Sequence, residues 1–381
     1  MQTLLTPLRI LSIFMLTSSL PLVALPAKKD QTKIKGAMQT IYREMSYLLP
    51  LSLDDSSFYS KEREKKIMGS LLELSKVSND VFNEKSFNDA FLNVTGKDFS
   101  YLSLEASKAF KEGHKPKAQA LIRFQSEACM SCHTMQTSAR EPRLQLDFLN
   151  KIEYEQLGTW EKARFLTMAR QFSAAMGEYE RLLSSKDLPD EEKVLSNAYT
   201  EYLILGLRVT GNLDRVQSFL SKVKKKEEPK VLQESFANWE RSIKVIKSLK
   251  KPWDFETAKN LIRLGSKKNT YPADPQGVIY YIVASRILRE SLASGQNFTA
   301  EKLSEHHFLL GKSELVVDIF GFKSMIYFAK AIKAAPKSKV AKEALKLYKE
   351  NLFLNYSGSS GTHVPDDEMG KLKELTDIVK I

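Results

Sequence analysis

"HKPKAQALIRFQSEACMSCHTM", residues 114–135, is the stretch from which the rest of the chain can be read. Its first part reads as an amphipathic helix, and Pro116 suits a first helical turn, where a backbone N–H has no intrahelical partner in any case. Its end holds both cysteines of the 381-residue chain, Cys129 and Cys132, with one of the five histidines, His133, directly after them. With so few of either type, chance explains this adjacency poorly. On a helix, Cys132 and His133 sit at about 300° and 400° around the axis from Cys129, so the three side chains leave within a sector of about 100°. One face therefore presents two thiols and an imidazole.

Three chemistries compete for such a face. A structural zinc needs two further Cys or His ligands, and His114, His306, His307 and His363 show no ligand spacing, although two of them adjoin. A thioredoxin-like dithiol expects a preceding strand and crossover unit, whereas an amphipathic helix precedes Cys129. Covalent attachment of a c-type haem needs only what is present: Cys129 and Cys132 as thioether anchors and His133 as proximal iron ligand. The expectation is one haem c per chain.

Composition sets the frame around this motif. A 43% hydrophobic, 27% charged chain is globular rather than disordered. Its 13 prolines and 16 glycines are too sparse for a sheet that reverses every ten residues, so an all-α fold with almost no strand is expected. Residues 1–27 read as a secretory signal peptide: Arg9, an uncharged apolar stretch from Ile10 to Leu25, then Ala24 and Ala27 as cleavage candidates. An uncleaved anchor is the rival, but Thr17, Ser18 and Ser19 interrupt a stretch short of the roughly 20 residues a span needs. The expected location is the periplasm of a bacterial cell envelope. There two thiols would ordinarily pair as a structural disulfide, and this chain has both in the motif instead. Net charge is +12, or +11 once Arg9 leaves with the signal. The basic runs at 221–230 and 244–252 are most simply solvated helix faces. As binding surfaces they suit an acidic protein partner or an anionic membrane surface, while export argues against nucleic acid.

Four helical segments lead up to and include the motif. "KIKGAMQTIYREMSYLL" (33–49) places Ile34, Met38, Ile41, Met45 and Leu48 at spacings of three and four. The second segment is 61–82, and the third is 98–113, with Asp98 as cap and Gly113 as stop. The fourth begins near Lys115 and carries the motif at its end. Together they predict an antiparallel four-helix bundle over 28–140 with a cofactor between helices.

This helix order, with the motif ending the fourth helix and "GAMQTIYREM" in the first, resembles the cytochrome c prime family and its methionine-ligated low-spin cousins over roughly residues 30–140. The resemblance implies a distal residue from the first helix. In the low-spin members that residue is a methionine following a basic residue, a pattern matched here by Met38 with Lys33 or Lys35 upstream and Met45 seven later. Met38 is thus the candidate sixth ligand, and Met45 is second. A methionine filling a gap in the core is the alternative, and without a distal ligand the iron would be five-coordinate and open to a gas molecule. Met135, two residues past His133, cannot reach the opposite side. The family often has a basic residue one turn after the histidine, but here "HTMQTSAR" reaches Arg140 only seven residues later.

Beyond a polar break at 137–143, helical periodicity resumes in paired segments. Residues 159–185 and 190–224 read as helix, short turn, helix, with Ala174, Ala175, Gly177 and Gly206 where helices approach closely. Residues 303–351 resemble a tetratricopeptide repeat, with Leu310, Gly311, Tyr327, Ala331, Ala335 and Pro336 in its characteristic places. Region 141–381 is therefore expected to be a tetratricopeptide-like helical repeat domain. The rival arrangement is an irregular helical bundle. Two loops, 266–277 and 355–368, read respectively as a linker and as an exposed Gly/Ser turn.

No second haem motif, nucleophile motif, phosphate loop or metal-protease helix is present. The function expected is an exported monohaem c-type cytochrome that transfers single electrons and docks a redox or envelope partner through its repeats. The expectation is an electron carrier or haem-binding protein, with the question of enzymatic activity left open. The alternatives are a haem-based binder of NO or CO, and an envelope assembly scaffold with structural haem.

Overall fold

The structure, a computed structural model, describes residues 28–82, 90–135, 157–185, 192–223, 230–270, 274–294, 296–318 and 322–380. The expected signal peptide and the polar break at 137–143 lie outside the described residues. Within them the protein is all-α apart from one short hairpin, in which Ser357–Gly358 pairs antiparallel with Gly361–Thr362.

Helix α1 (Lys28–Ser52) buries Ala37, Ile41, Met45, Leu48 and Leu49 along one stripe. It runs through Pro50 and stops two residues later, where the Ser52 hydroxyl donates to the Leu49 carbonyl at 2.7 Å. A single turn, α2 (Asp55–Phe58), is capped by the Asp54 carboxylate. Helix α3 (Lys61–Phe82) has the expected bounds and buries Ile67, Leu71, Leu74, Val81 and Phe82. Helix α4 (Ala90–Lys111) departs from expectation by starting eight residues before Asp98, which is inside the helix and not its cap. The reason is packing: buried Thr95, Gly96 and Phe99 continue upstream the stripe of Ser103, Ala106 and Phe110. Gly96 does not break the helix, because its bare Cα lets the Phe82 ring lie against α4; an added Cβ would stand 2.5 Å from that ring.

A glycine turn sets the reversal into the motif helix. Gly113 has φ 84°, and the N–H groups of Gly113 and His114 reach back to the carbonyls of Phe110 and Ala109. This is a Schellman ending, which satisfies carbonyls left over at the end of α4. Helix α5 (Lys115–Met135) follows. Polar side chains fix its position: buried Gln125 donates to Ser103 Oγ of α4 at 3.0 Å, buried Gln119 donates to Asp55 at 2.7 Å, and exposed Arg123 donates through Nε to the Ser52 carbonyl at 2.8 Å. Helix α1 packs on α3, α3 on α4, α4 on α5 and α5 on α1, which closes a ring around one hydrophobic core.

The following helices form a second, larger core. Helices α6 (Thr159–Met168) and α7 (Phe172–Ser184) make a hairpin, and α6 serves both cores: Phe165 and Met168 enter the first, Ala163 and Leu166 the second. Helix α8 (Glu192–Leu203) passes into a π-helical turn at Ile204–Val209, then α9 (Leu213–Lys222) and α10 (Lys230–Ser248). From α11 (Phe255–Ser266) through α12 (Val278–Ala293), α13 (Ala300–Val317), α14 (Phe322–Ala334), α15 (Lys339–Asn355) and α16 (Asp366–Lys380), each helix packs on the next. Contacts also join α11 to α13, α13 to α15 and α14 to α16. Gly311 of α13 lies tight against α14, since a Cβ there would stand 2.5 Å from the Phe328 ring. Leu310, Tyr327 and Ala331 are buried in this pairing, and Ala335 closes it. The 355–368 loop carries the hairpin and remains exposed, His363 included. In the 266–277 loop, Asp274 accepts from Thr270 and Gln276.

One buried charge network joins the end of α5 to this second core. Glu314 of α13 receives Arg208 and Arg289 at 2.9 Å each. Arg208 also donates to Ser285 at 2.9 Å and, through Nη1, to the sulfur of Met135 at 3.6 Å. Met135, the last residue of α5, is thereby committed to the second core.

Candidate functional site

Helix α5 carries the motif on the face turned to the first core. Its half-buried Cys129, Cys132 and His133 line one apolar cavity. The other walls come from α1 (Met38, Ile41, Tyr42, Met45), the end of α3 (Phe82), the first half of α4 (Thr95, Gly96, Phe99) and the end of α6 (Met168). The structure therefore brings all four sequence-derived site residues, Cys129, Cys132, His133 and Met38, to one cavity. Met45, the second candidate, lines it too and is fully buried, whereas Met38 is half-buried. Met135 is absent from the lining.

The local electrostatics suit neutral ligation better than thiol redox chemistry. Burial, with the neighbouring Cys132 adding to it, raises Cys129 well above the ordinary thiol range, so it is a poor thiolate nucleophile. Burial, and then the positive charge of Arg170, push the His133 imidazole down to about 4, against an opposing contribution from the Met168 backbone carbonyl. At neutral pH the ring is uncharged, the form that binds metals. Its Nδ1 is buried with no hydrogen-bond partner. A buried orphan of this kind calls for an explanation, and an iron ligand whose second ring nitrogen completes its bonding elsewhere supplies one. Burial pushes Tyr42 up to about 12, so its phenol stays protonated.

The donor set fits a covalently attached haem on three counts. Both cysteines are thiols on the cavity face, the imidazole beside them is neutral, and the wall is almost wholly apolar, as a macrocycle requires. Among the described residues no group of three or more His, Cys, Asp or Glu could hold a metal ion, so the extra ligands a zinc site needs are not gathered at the two cysteines. His306 is a core residue between Phe255 and Phe298, hydrogen-bonded to Ser291 at 3.1 Å.

Sequence reasoning missed Met168, Tyr42, Phe82, Phe99 and Arg170. Tyr42 and Met45 share the stripe of Met38, and that stripe was a usable signal. Met168 and Arg170 follow the motif by more than thirty residues and carried none. Compared with protein-family models, with curated proteins and with solved structures, the chain matched nothing in any of the three.

Proposed function

We propose that this protein is an exported monohaem c-type cytochrome in which α1, α3, α4 and α5 form a four-helix haem bundle and the later helices a tetratricopeptide-like docking domain. The observation that carries this reading is the shared cavity: Cys129, Cys132 and His133 on one wall, and Met38 of the first helix on the same lining. Cys129 and Cys132 would anchor the group through thioethers, and His133 would bind its iron. Bound there, haem supplies one-electron exchange between Fe(II) and Fe(III). The chain's own residues govern that exchange. Ile41, Phe82, Phe99 and Met168 exclude water, and Met38 would offer the iron a thioether sulfur.

The docking role is supported by the pattern of α11 to α16, where each helix touches its neighbour and, in several cases, the next but one, as stacked repeat pairs do. The partner proposed is an acidic redox or envelope protein, suited to the chain's net positive charge. For the periplasmic location the support is the signal-like 1–27 segment. No helix among the described residues is long and apolar enough to cross a membrane.

The test is the visible spectrum of the ferrous full-length protein made together with haem-attachment machinery. A low-spin spectrum that turns high-spin in Met38→Ala supports an electron carrier with a methionine ligand. A wild-type spectrum that is high-spin and shifts on CO addition refutes that ligand and favours gas binding.

A further inference from the structure

The turn between α6 and α7 contains a residue that the proposed function leaves unexplained. Arg170 adopts φ 59°, the only positive φ of a non-glycine residue among those described. A left-handed backbone is disfavoured for a side chain of this size and is worth a functional question wherever it occurs. Its guanidinium forms no ion pair or hydrogen bond with any described residue, and its Nε is buried without a partner. Partly buried arginines elsewhere in this protein are paired: Arg164 with Glu127 and Glu201, Arg215 with Glu180, Arg208 and Arg289 with Glu314. The exception stands two residues beyond Met168, which lines the cavity, and close enough to His133 for its charge to act on the imidazole. The cavity wall itself carries no ionised side chain that could offset this charge.

We propose that Arg170 is a positioning residue for the iron site: its positive charge, which no described carboxylate pairs, acts on His133, disfavours the ferric state and so raises the reduction potential. This rests on the haem reading above. Ferric iron carries one more positive charge than ferrous iron. A fixed cation nearby, in an environment less polar than water, therefore costs the oxidised form more. The turn α6–α7 belongs to the hairpin that serves both cores, so a side chain from outside the α1–α5 ring sets the charge at the cofactor.

The experiment is a spectroelectrochemical titration of full-length protein, with covalent haem content measured first, in the wild type, Arg170→Gly, Arg170→Asn and Arg170→Lys. Glycine and asparagine tolerate the left-handed backbone, so both remove the charge without forcing the turn to change. The expected result is a lower potential in Arg170→Gly and Arg170→Asn, with the ferrous spectrum unchanged, and a potential close to wild type in Arg170→Lys. A wild-type potential in the glycine and asparagine variants overturns the inference, as does a lysine variant that falls as far as they do. A wild-type chain carrying no haem defeats the underlying reading instead, and the content measurement separates that failure from this one.

Discussion

At the residue scale the site divides its methionines by position. Met38 and Met45 come from α1, while Met168 presents its backbone carbonyl toward His133 and so stands on the histidine's side of the cavity. Met168→Ala should therefore leave a low-spin ferrous spectrum in place while Met38→Ala abolishes it; the reverse pattern would transfer the ligand role. Gly96 makes a different prediction. Gly96→Ala pushes a methyl into the Phe82 ring, and overpacking of this kind costs about 1–3 kcal/mol. Denaturant titration should show that loss, and because both residues line the cavity the visible spectrum should move with it. The grouping of Cys129, Cys132 and His133 was legible because their spacing is local, within five residues, whereas Met38 was reached only through the helix order on which the resemblance rests. Arg170 was not legible, since its lack of an ion pair among the described residues is a property of its surroundings and the sequence gives no sign of which carboxylates reach it.

At the element scale, helix identity followed from periodicity, and a helix end followed most directly where a local stop existed. Gly113 marked the end of α4 because a left-handed turn needs glycine there. The start of α4 was misplaced because Asp98 has a capping side chain, yet it lies inside the helix. Tertiary packing against Phe82 outweighed the local preference. The Arg208–Glu314–Arg289 network is an element-scale feature that no local pattern revealed, since its members are up to 106 residues apart. Removing one charge from it leaves the others buried and unpaired, so Glu314→Gln should cost about 3–5 kcal/mol in chemical denaturation. The network also fixes a pH dependence. Burial alone would raise the Glu314 carboxyl, but Arg208 and Arg289 overcome it and hold it down to about 2. Between that value and the ordinary carboxylate range the unfolded chain binds more protons than the folded one, so stability rises with pH across this window. The contribution is complete above the unfolded value and is lost as pH falls toward 2. Glu314→Gln should flatten this part of the stability profile, and an unchanged acid limb would show that other carboxylates govern it.

At the scale of the whole molecule, the two cores meet at α5 and α6. Met135 inserts into the second core and Phe165 and Met168 into the first, so α5 is held from both sides. A chain ending at residue 140 loses the α6 wall of the cavity. It should melt at lower temperature than a chain ending at residue 185, and its Cys129 should react faster with thiol reagents before haem attachment. Equal melting and equal thiol reactivity would mean that the α1–α5 ring is self-sufficient. The all-α class was legible from the scarcity of proline and glycine, but the sharing of α6 between cores was not, because a boundary drawn at a polar break ignores what the next helix packs against. The central claim is that Cys129 and Cys132 anchor a haem. Its most direct test is the pyridine haemochrome of full-length protein produced with haem-attachment machinery, after acid–solvent extraction of any haem held non-covalently. The prediction is one retained thioether-linked haem per chain, and none in the Cys129→Ala, Cys132→Ala double variant. A folded wild-type protein that retains no haem after extraction would contradict the account.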